Sequence, residues 1–279
     1  TFNDWGTIDD YWNSATSGLS LASLRMAAAQ SGMQVASASA TLQSRDYLEQ
    51  YARTWGQPQR RMVLFSLNSP SGLQNIQTNA NPTSYPQLSD DGKILAYIND
   101  GNSRSIYDSR AHFSTLKGGV YTPSSQIDNL TEFPGYGDTS VSLSGTDSFA
   151  AAAWVRMGTE LPGKNAGNAV TLEEQNLLMN STEIVVSVYN GTNWTSTRLT
   201  KDGTPDLAPA TAVGGDGKAI VFWRSVYTPD PGTQGSNNLL NFTTRDCIMY
   251  RCYDSTDGTW NEAKMLYNGA TGRVKALQA

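Results

Sequence analysis

The chain has 279 residues, enough for one large all-β domain or two ordinary ones. Only 16% of its residues are charged and the net charge is −5, with Arg60–Arg61 the only adjacent basic pair. Nucleic acid, whose phosphates call for clustered cations, is therefore not an expected partner. Nor is membrane insertion, since no apolar run approaches the roughly 20 residues of a spanning helix.

Ser, Thr, Asn and Gly take the place of charge, a habit of secreted β proteins, and an extracellular or cell-surface location is expected. The chain opens on Thr1 with no basic-then-apolar leader behind it, so its original N-terminus is expected to lie elsewhere. Residues 1–57 form a segment of their own. Leu19, Ala22, Met26 and Ala29 repeat at three- or four-residue spacing in an Ala-rich stretch, which predicts a helix. Ser44 would cap a second helix carrying Tyr47, Leu48, Tyr51 and Trp55, stopped by Gly56 and Pro58.

From residue 58 the period shortens to strands and turns. Arg61–Leu67 and Gly72–Ile76 predict the last two strands of a four-stranded unit that lacks its first two. Three longer units follow. Each opens with an alternating segment, a tight Gly/Asp turn and a continuous apolar run, at residues 85–98, 139–154 and 208–223. That pattern is a hairpin whose second strand is buried on both faces. A second strand pair closes each unit, from Ile184–Tyr189 through Asn190-Gly191 to Trp194, and from Ile248–Tyr253 through Gly258 to Trp260, with a weaker pair in 105–127.

Four strands per repeat, sealed by Tyr…Gly…Trp, is the grammar of a β-propeller blade. The fold expected is all-β, with a helical N-terminal segment (1–57), a partial blade (58–80), blades at 81–133, 134–203 and 204–268, and the start of another at 269–279. Three complete blades do not close a ring. The rest of a parent chain, or a partner chain, is expected to complete it, and the chain is expected to be a fragment.

Tyr85–Ile98, with Pro86, Ser89, Asp91, Gly92 and Lys93, resembles the TolB-type repeat. Tyr189–Trp223, with Asn190-Gly191, Trp194, Leu199-Thr200, Asp202-Gly203, Asp206 and Pro209, is similar to sialidase-like repeats of large bacterial surface proteins. Ser255–Trp260 falls one residue short of the Asp-box spacing of that family. The resemblance covers about residues 58–279 and implies architecture, because this scaffold hosts many activities.

Catalytic sets are hard to assemble. A Ser–His–acid triad would rest entirely on His112. Cys247 and Cys252, five apart on one strand, would lie about 17 Å from each other on opposite faces, which predicts two free thiols. Calcium is the one cofactor weighed, near Asp254 and Asp257, but Asp-x-x-Asp-Gly reads better as a turn, and no cofactor is expected.

The connections between second and third strands, about 157–182 and 225–245, are long and should lie on one propeller face, each with a Leu pair (Leu177-Leu178, Leu239-Leu240). The ligand-binding candidates beside them are Trp154, Arg156, Trp223, Arg224 and Tyr227, since Trp with Arg can stack on a sugar and hydrogen-bond it. Packing between blades is the competing role for both tryptophans. The expected function is a binding or adhesion module taking a glycan or protein ligand, with a glycan-degrading propeller enzyme or a structural spacer as alternatives.

Overall fold

The computed structural model describes residues 80–81, 85–100, 107–128, 130–161, 171–226, 246–268 and 277, and the backbone of four strands before them. Those four form the first antiparallel sheet, in the order β1 (Arg25–Ala28), β2 (Met33–Ala38), β3 (Arg61–Ser66) and β4 (Ser69–Thr78). The second holds β5 (Gln87–Leu88), β6 (Ile94–Asn99), β7 (Arg110–Lys117) and β8 (Val120–Tyr121), with β9 (Ser125–Gln126) also on β7. The third runs β10 (Asp138–Gly145), β11 (Ala150–Met157), β12 (Thr182–Tyr189), β13 (Trp194–Arg198). The fourth runs β14 (Asp206–Val213), β15 (Lys218–Val226), β16 (Asp246–Asp254), β17 (Thr259–Trp260), with β18 (Lys264–Asn268) also on β16.

Strand order follows chain order in every sheet, and the second, third and fourth sheets pack face to face. On β11, Ala150, Ala152 and Trp154 meet Ile94, Ala96 and Ile98 of the second sheet. The alternate residues Ala153 and Val155 join Val221 and Trp223 of the fourth. Inner strands covered on both sides have no solvent face, so they carry no polar alternation. Four-stranded antiparallel meanders laid one on the next are propeller blades.

One expectation needs correction. Residues 25–28 and 33–38, inside the segment expected to be helical, are strands, and they supply the two strands that precede β3 and β4. Alanine favours helix by less than about 1 kcal/mol per residue, which ladder pairing easily overrides; β11, with four successive alanines, is a strand for the same reason. The second expected helix, 44–56, lies outside the described residues, as does Val274–Ala276.

The Ser-x-Asp-Gly-Lys stretch turns the hairpin between β5 and β6. Ser89 Oγ accepts the amides of Lys93 and Ile94 at 3.1 and 2.8 Å and donates to Asp91 at 2.7 Å. Asp90 and Asp91 then reach the corresponding turn of the next sheet. Asp90 N donates to the Gly145 carbonyl, Gly145 N returns a bond to Asp90 Oδ2, and Asp147 N donates to Asp91 Oδ2. Gly145 itself has φ +112°, and a Cβ there would stand 2.4 Å from the Phe149 carbonyl oxygen. The motif is thus a fastener between sheets.

Candidate functional site

The second-to-third-strand connections all leave from one end of the sheets. Register pairs Asn99 with Arg110, Met157 with Thr182 and Val226 with Asp246. The intervening stretches are therefore 100–109, 158–181 and 227–245, whereas the opposite end closes with short turns such as 146–149 and 214–217. In the described part of 158–181 a helix, α1 (Leu172–Asn180), replaces the expected loop. Its start is a capping box: Thr171 Oγ1 accepts from Glu174 N at 3.2 Å and Glu174 Oε2 accepts from Thr171 N at 2.7 Å. Leu177 on this helix is 53% exposed, so it does not tuck the insertion down.

The ligand-binding candidates fall elsewhere. Trp154 is fully buried between the second and third sheets, and Trp223 is buried between the third and fourth, so packing claims both rings. Arg156 is buried too, which corrects its expected place on a rim. Its Nε and Nη2 donate to Asp138 Oδ1 and Oδ2 at 2.7 and 2.8 Å, Nη2 also pairs with Asp128, and Nη1 donates to the Phe133 carbonyl at 3.2 Å. Arg224 is largely covered and lies 3.9 Å from the buried Asp246. Tyr227 lies outside the described residues.

Burial would raise the Asp128 carboxyl, but the Arg156 guanidinium and the Leu130 amide hold it below its ordinary value. At Asp138, which is wholly buried, burial prevails against Arg156 and pushes the carboxyl up. The knot closes the crossing from second to third sheet, where Ala111 N also donates to Asp138 Oδ2 at 3.0 Å.

A second carboxylate group, which sequence reasoning did not assemble, lies at the crossing from third to fourth sheet. Glu183 from β12, Asp202 from the crossing and Asp206 at the head of β14 bring carboxylate oxygens within 4.8 Å of one another. Glu183 accepts from Arg198 Nη2 at 2.8 Å and from Thr200 Oγ1 at 2.7 Å. Asp202 Oδ1 accepts from the amide and hydroxyl of Thr204. Asp206, wholly buried, accepts from Trp223 Nε1 at Oδ1, 3.0 Å away, while its Oδ2 has no hydrogen-bond partner among the described residues.

Burial, with Asp202 next to it, pushes the Asp206 carboxyl up to about 8. The hydroxyls of Ser225 and Thr200 stand near enough to oppose that rise, but neither makes a hydrogen bond of good geometry to Oδ2. Asp202 and Asp206 were visible in the sialidase-like stretch, but nothing in it joined them to Glu183, some 20 residues earlier.

The other candidates are structural. His112, on β7, has its Nδ1 3.1 Å from Ser124 Oγ. Cys247 and Cys252 are free, as expected. Asp254 Oδ1 accepts the Thr256 amide at 2.9 Å, the turn expected there.

No family model matches this chain, and no curated protein matches it. Solved structures do. The GH93 α-L-arabinofuranosidase of Fusarium graminearum, in complex with arabinobiose, is 10% identical with a TM-score of 0.43, over 89% of this chain and 72% of that one. A PL25 ulvan lyase is 8% identical with a TM-score of 0.47, over 88% and 57%. The β-propeller domain of the Trilobed protease from Pyrococcus furiosus is 10% identical with a TM-score of 0.42, over 88% and 58%. At such identities and TM-scores no activity carries across, and function must come from the chain's own residues.

Proposed function

We propose that this chain is a carbohydrate-binding β-propeller module of a secreted or cell-surface protein, and that it meets its ligand at the end bearing the long connections. The observation that carries this reading is their shared polarity: adjacent sheets are fastened by short turns at one end and send their insertions from the other. Insertions on a rigid frame are where binding groups concentrate. Helix α1 carries Gln175 and Asn180, both partly exposed, on the same short element as the exposed Leu177. Amides both donate and accept, as sugar hydroxyls require, and an apolar side chain among them suits the C–H face of a sugar ring.

Catalysis at the Glu183–Asp202–Asp206 group is the weaker reading. A protonated carboxyl beside ionised ones is how glycosidases divide acid from base. However, Asp206 and Glu183 are both buried among the described residues, whereas an acid and base pair must both reach the scissile bond.

Completion of the ring by the rest of a parent chain or by a partner belongs to the same proposal. Phe222 and Tyr250, with ring centroids 5.9 Å apart on the last sheet, are only half-buried. An array of neutral and acidic oligosaccharides and polysaccharides, probed with the intact chain and with Leu177→Asp, tests the reading. Binding to a subset that weakens several-fold in the variant is expected. Binding to none, or binding indifferent to the substitution, would contradict it, and release of reducing ends from a bound polysaccharide would favour the enzyme.

A further inference from the structure

The two sheet crossings are built alike, but only the first sets a guanidinium opposite its buried aspartate. In the third sheet Asp138 pairs with Arg156 across β10 and β11; in the fourth, Asp206 pairs with Ser225 across β14 and β15. The correspondence extends to detail. The register slips between Thr139 and Ser142 and again between Leu207 and Ala210, with positive φ at Ser140 (57°) and Ala208 (50°). Trp154 and Trp223 each stand two residues before the position in question.

At the first crossing the guanidinium binds two carboxylates and leaves neither oxygen of Asp138 unpaired. At the second, a short hydroxyl takes its place and three carboxylates converge. Once Asp206 gives up its proton to a bound ion, the Arg198 guanidinium on Glu183 leaves two formal negative charges, the charge of one divalent ion. The buried Asp206 Oδ2, with no hydrogen-bond partner among the described residues, points independently to a ligand, because burying a carboxylate oxygen unpaired is unfavourable.

We propose that Glu183, Asp202 and Asp206 hold a divalent cation of the calcium class at the third-to-fourth crossing, in the role that Arg156 plays at the crossing before it. The donor set is oxygen only, with the hydroxyls of Ser225 and Thr200 close by, which suits a hard ion and not zinc. Oxygens within 4.8 Å of one another fit around an ion that binds each at about 2.4 Å. The site fixes the segment between β13 and β14 and so the seating of the fourth sheet on the third. It is distinct from the Asp254–Asp257 turn.

The test is a calcium titration of the full chain after exhaustive chelation, by calorimetry and by thermal unfolding. Saturating CaCl2 should raise Tm by about 5 °C or more, with MgCl2 less effective. Asp202→Asn, at an exposed position, should fold normally and bind calcium at least tenfold more weakly, whereas Asp257→Asn should bind like the wild type. Ser225→Arg, which rebuilds the arrangement of the third sheet, should unfold without calcium near the temperature the wild type reaches with it. No heat and no Tm shift with millimolar CaCl2 in the wild type would overturn the proposal. So would a shift that survives Asp202→Asn or is lost in Asp257→Asn, or a folded Ser225→Arg chain that still binds calcium as tightly as the wild type.

Discussion

Ser225 stands opposite Asp206 at the step of the fourth sheet where Arg156 stands opposite Asp138 in the third. Two buried aspartates at equivalent positions therefore have different company: one shares a guanidinium with Asp128, the other has an indole N–H on one oxygen and, among the described residues, no hydrogen bond on the other. This difference decides where the interior tolerates change.

Arg156 is a structural cation. Arg156→Met should destabilise the chain by about 3–5 kcal/mol, because it leaves two carboxylates buried without their cation. Arg156→Lys should recover little, since a single ammonium cannot reproduce the fork to Asp138 and the bond to the Phe133 carbonyl together. Urea denaturation of the three proteins checks both, and a midpoint unmoved in Arg156→Met would show that the side chain is not held this way.

Ser89→Ala should cost about 1–3 kcal/mol, a large effect for one oxygen. The hydroxyl accepts two backbone amides, one of them buried, and positions Asp91 against the next sheet. Ser89→Thr, which keeps the oxygen, should recover most of the loss in the same denaturation experiment.

The two tryptophans that seal blades should not weigh equally. Trp194 is 9% exposed, with its ring 5.0 Å from Tyr189 and 5.6 Å from Phe113 of the preceding sheet. Trp260 repeats the pairing with Tyr253 at 5.2 Å but is only half-buried. Trp194→Ala should cost about 3–5 kcal/mol and Trp260→Ala clearly less. Equal losses by thermal or chemical unfolding would mean that burial is not what separates them.

Burial holds the His112 imidazole below its ordinary value of 6.5. The unfolded chain therefore takes up a proton that the folded chain resists. The contribution of this residue is complete above the ordinary histidine value and is lost as pH falls through it toward the depressed folded one. His112→Gln should flatten the fall in stability between about pH 7.5 and 5.5; chemical denaturation at intervals across that range gives the slope, and an unchanged slope would contradict the assignment.

The blades were legible because two signals agreed. Turn chemistry at Asp91-Gly92 and Gly214–Gly217 marked the hairpins, and apolar runs such as Ile94–Ile98 marked strands covered on both faces. The Tyr–Trp closure was legible as well, since Tyr189 and Trp194 pair directly across the ladder, as do Tyr253 and Trp260.

The first two strands were not legible, because Ala-rich sequence carries a helical period that only pairing with β3 overrules. The same limit applies to the carboxylates. Glu183 meets Asp202 and Asp206 through the sheet crossing, a relation with no fixed spacing in sequence. Arg156 looked like a rim residue because Asp128, well before it in the chain, gives no local sign that it will come to lie against it.

Hydrogen–deuterium exchange with the tightest-binding oligosaccharide from the array tests the binding face most directly. Protection should appear in peptides covering 107–109, 158–161 and 171–181, and the turns at 89–93, 146–149 and 214–217 should exchange as in the free chain. Protection confined to those turns would place the ligand on the wrong end of the sheets and contradict the account.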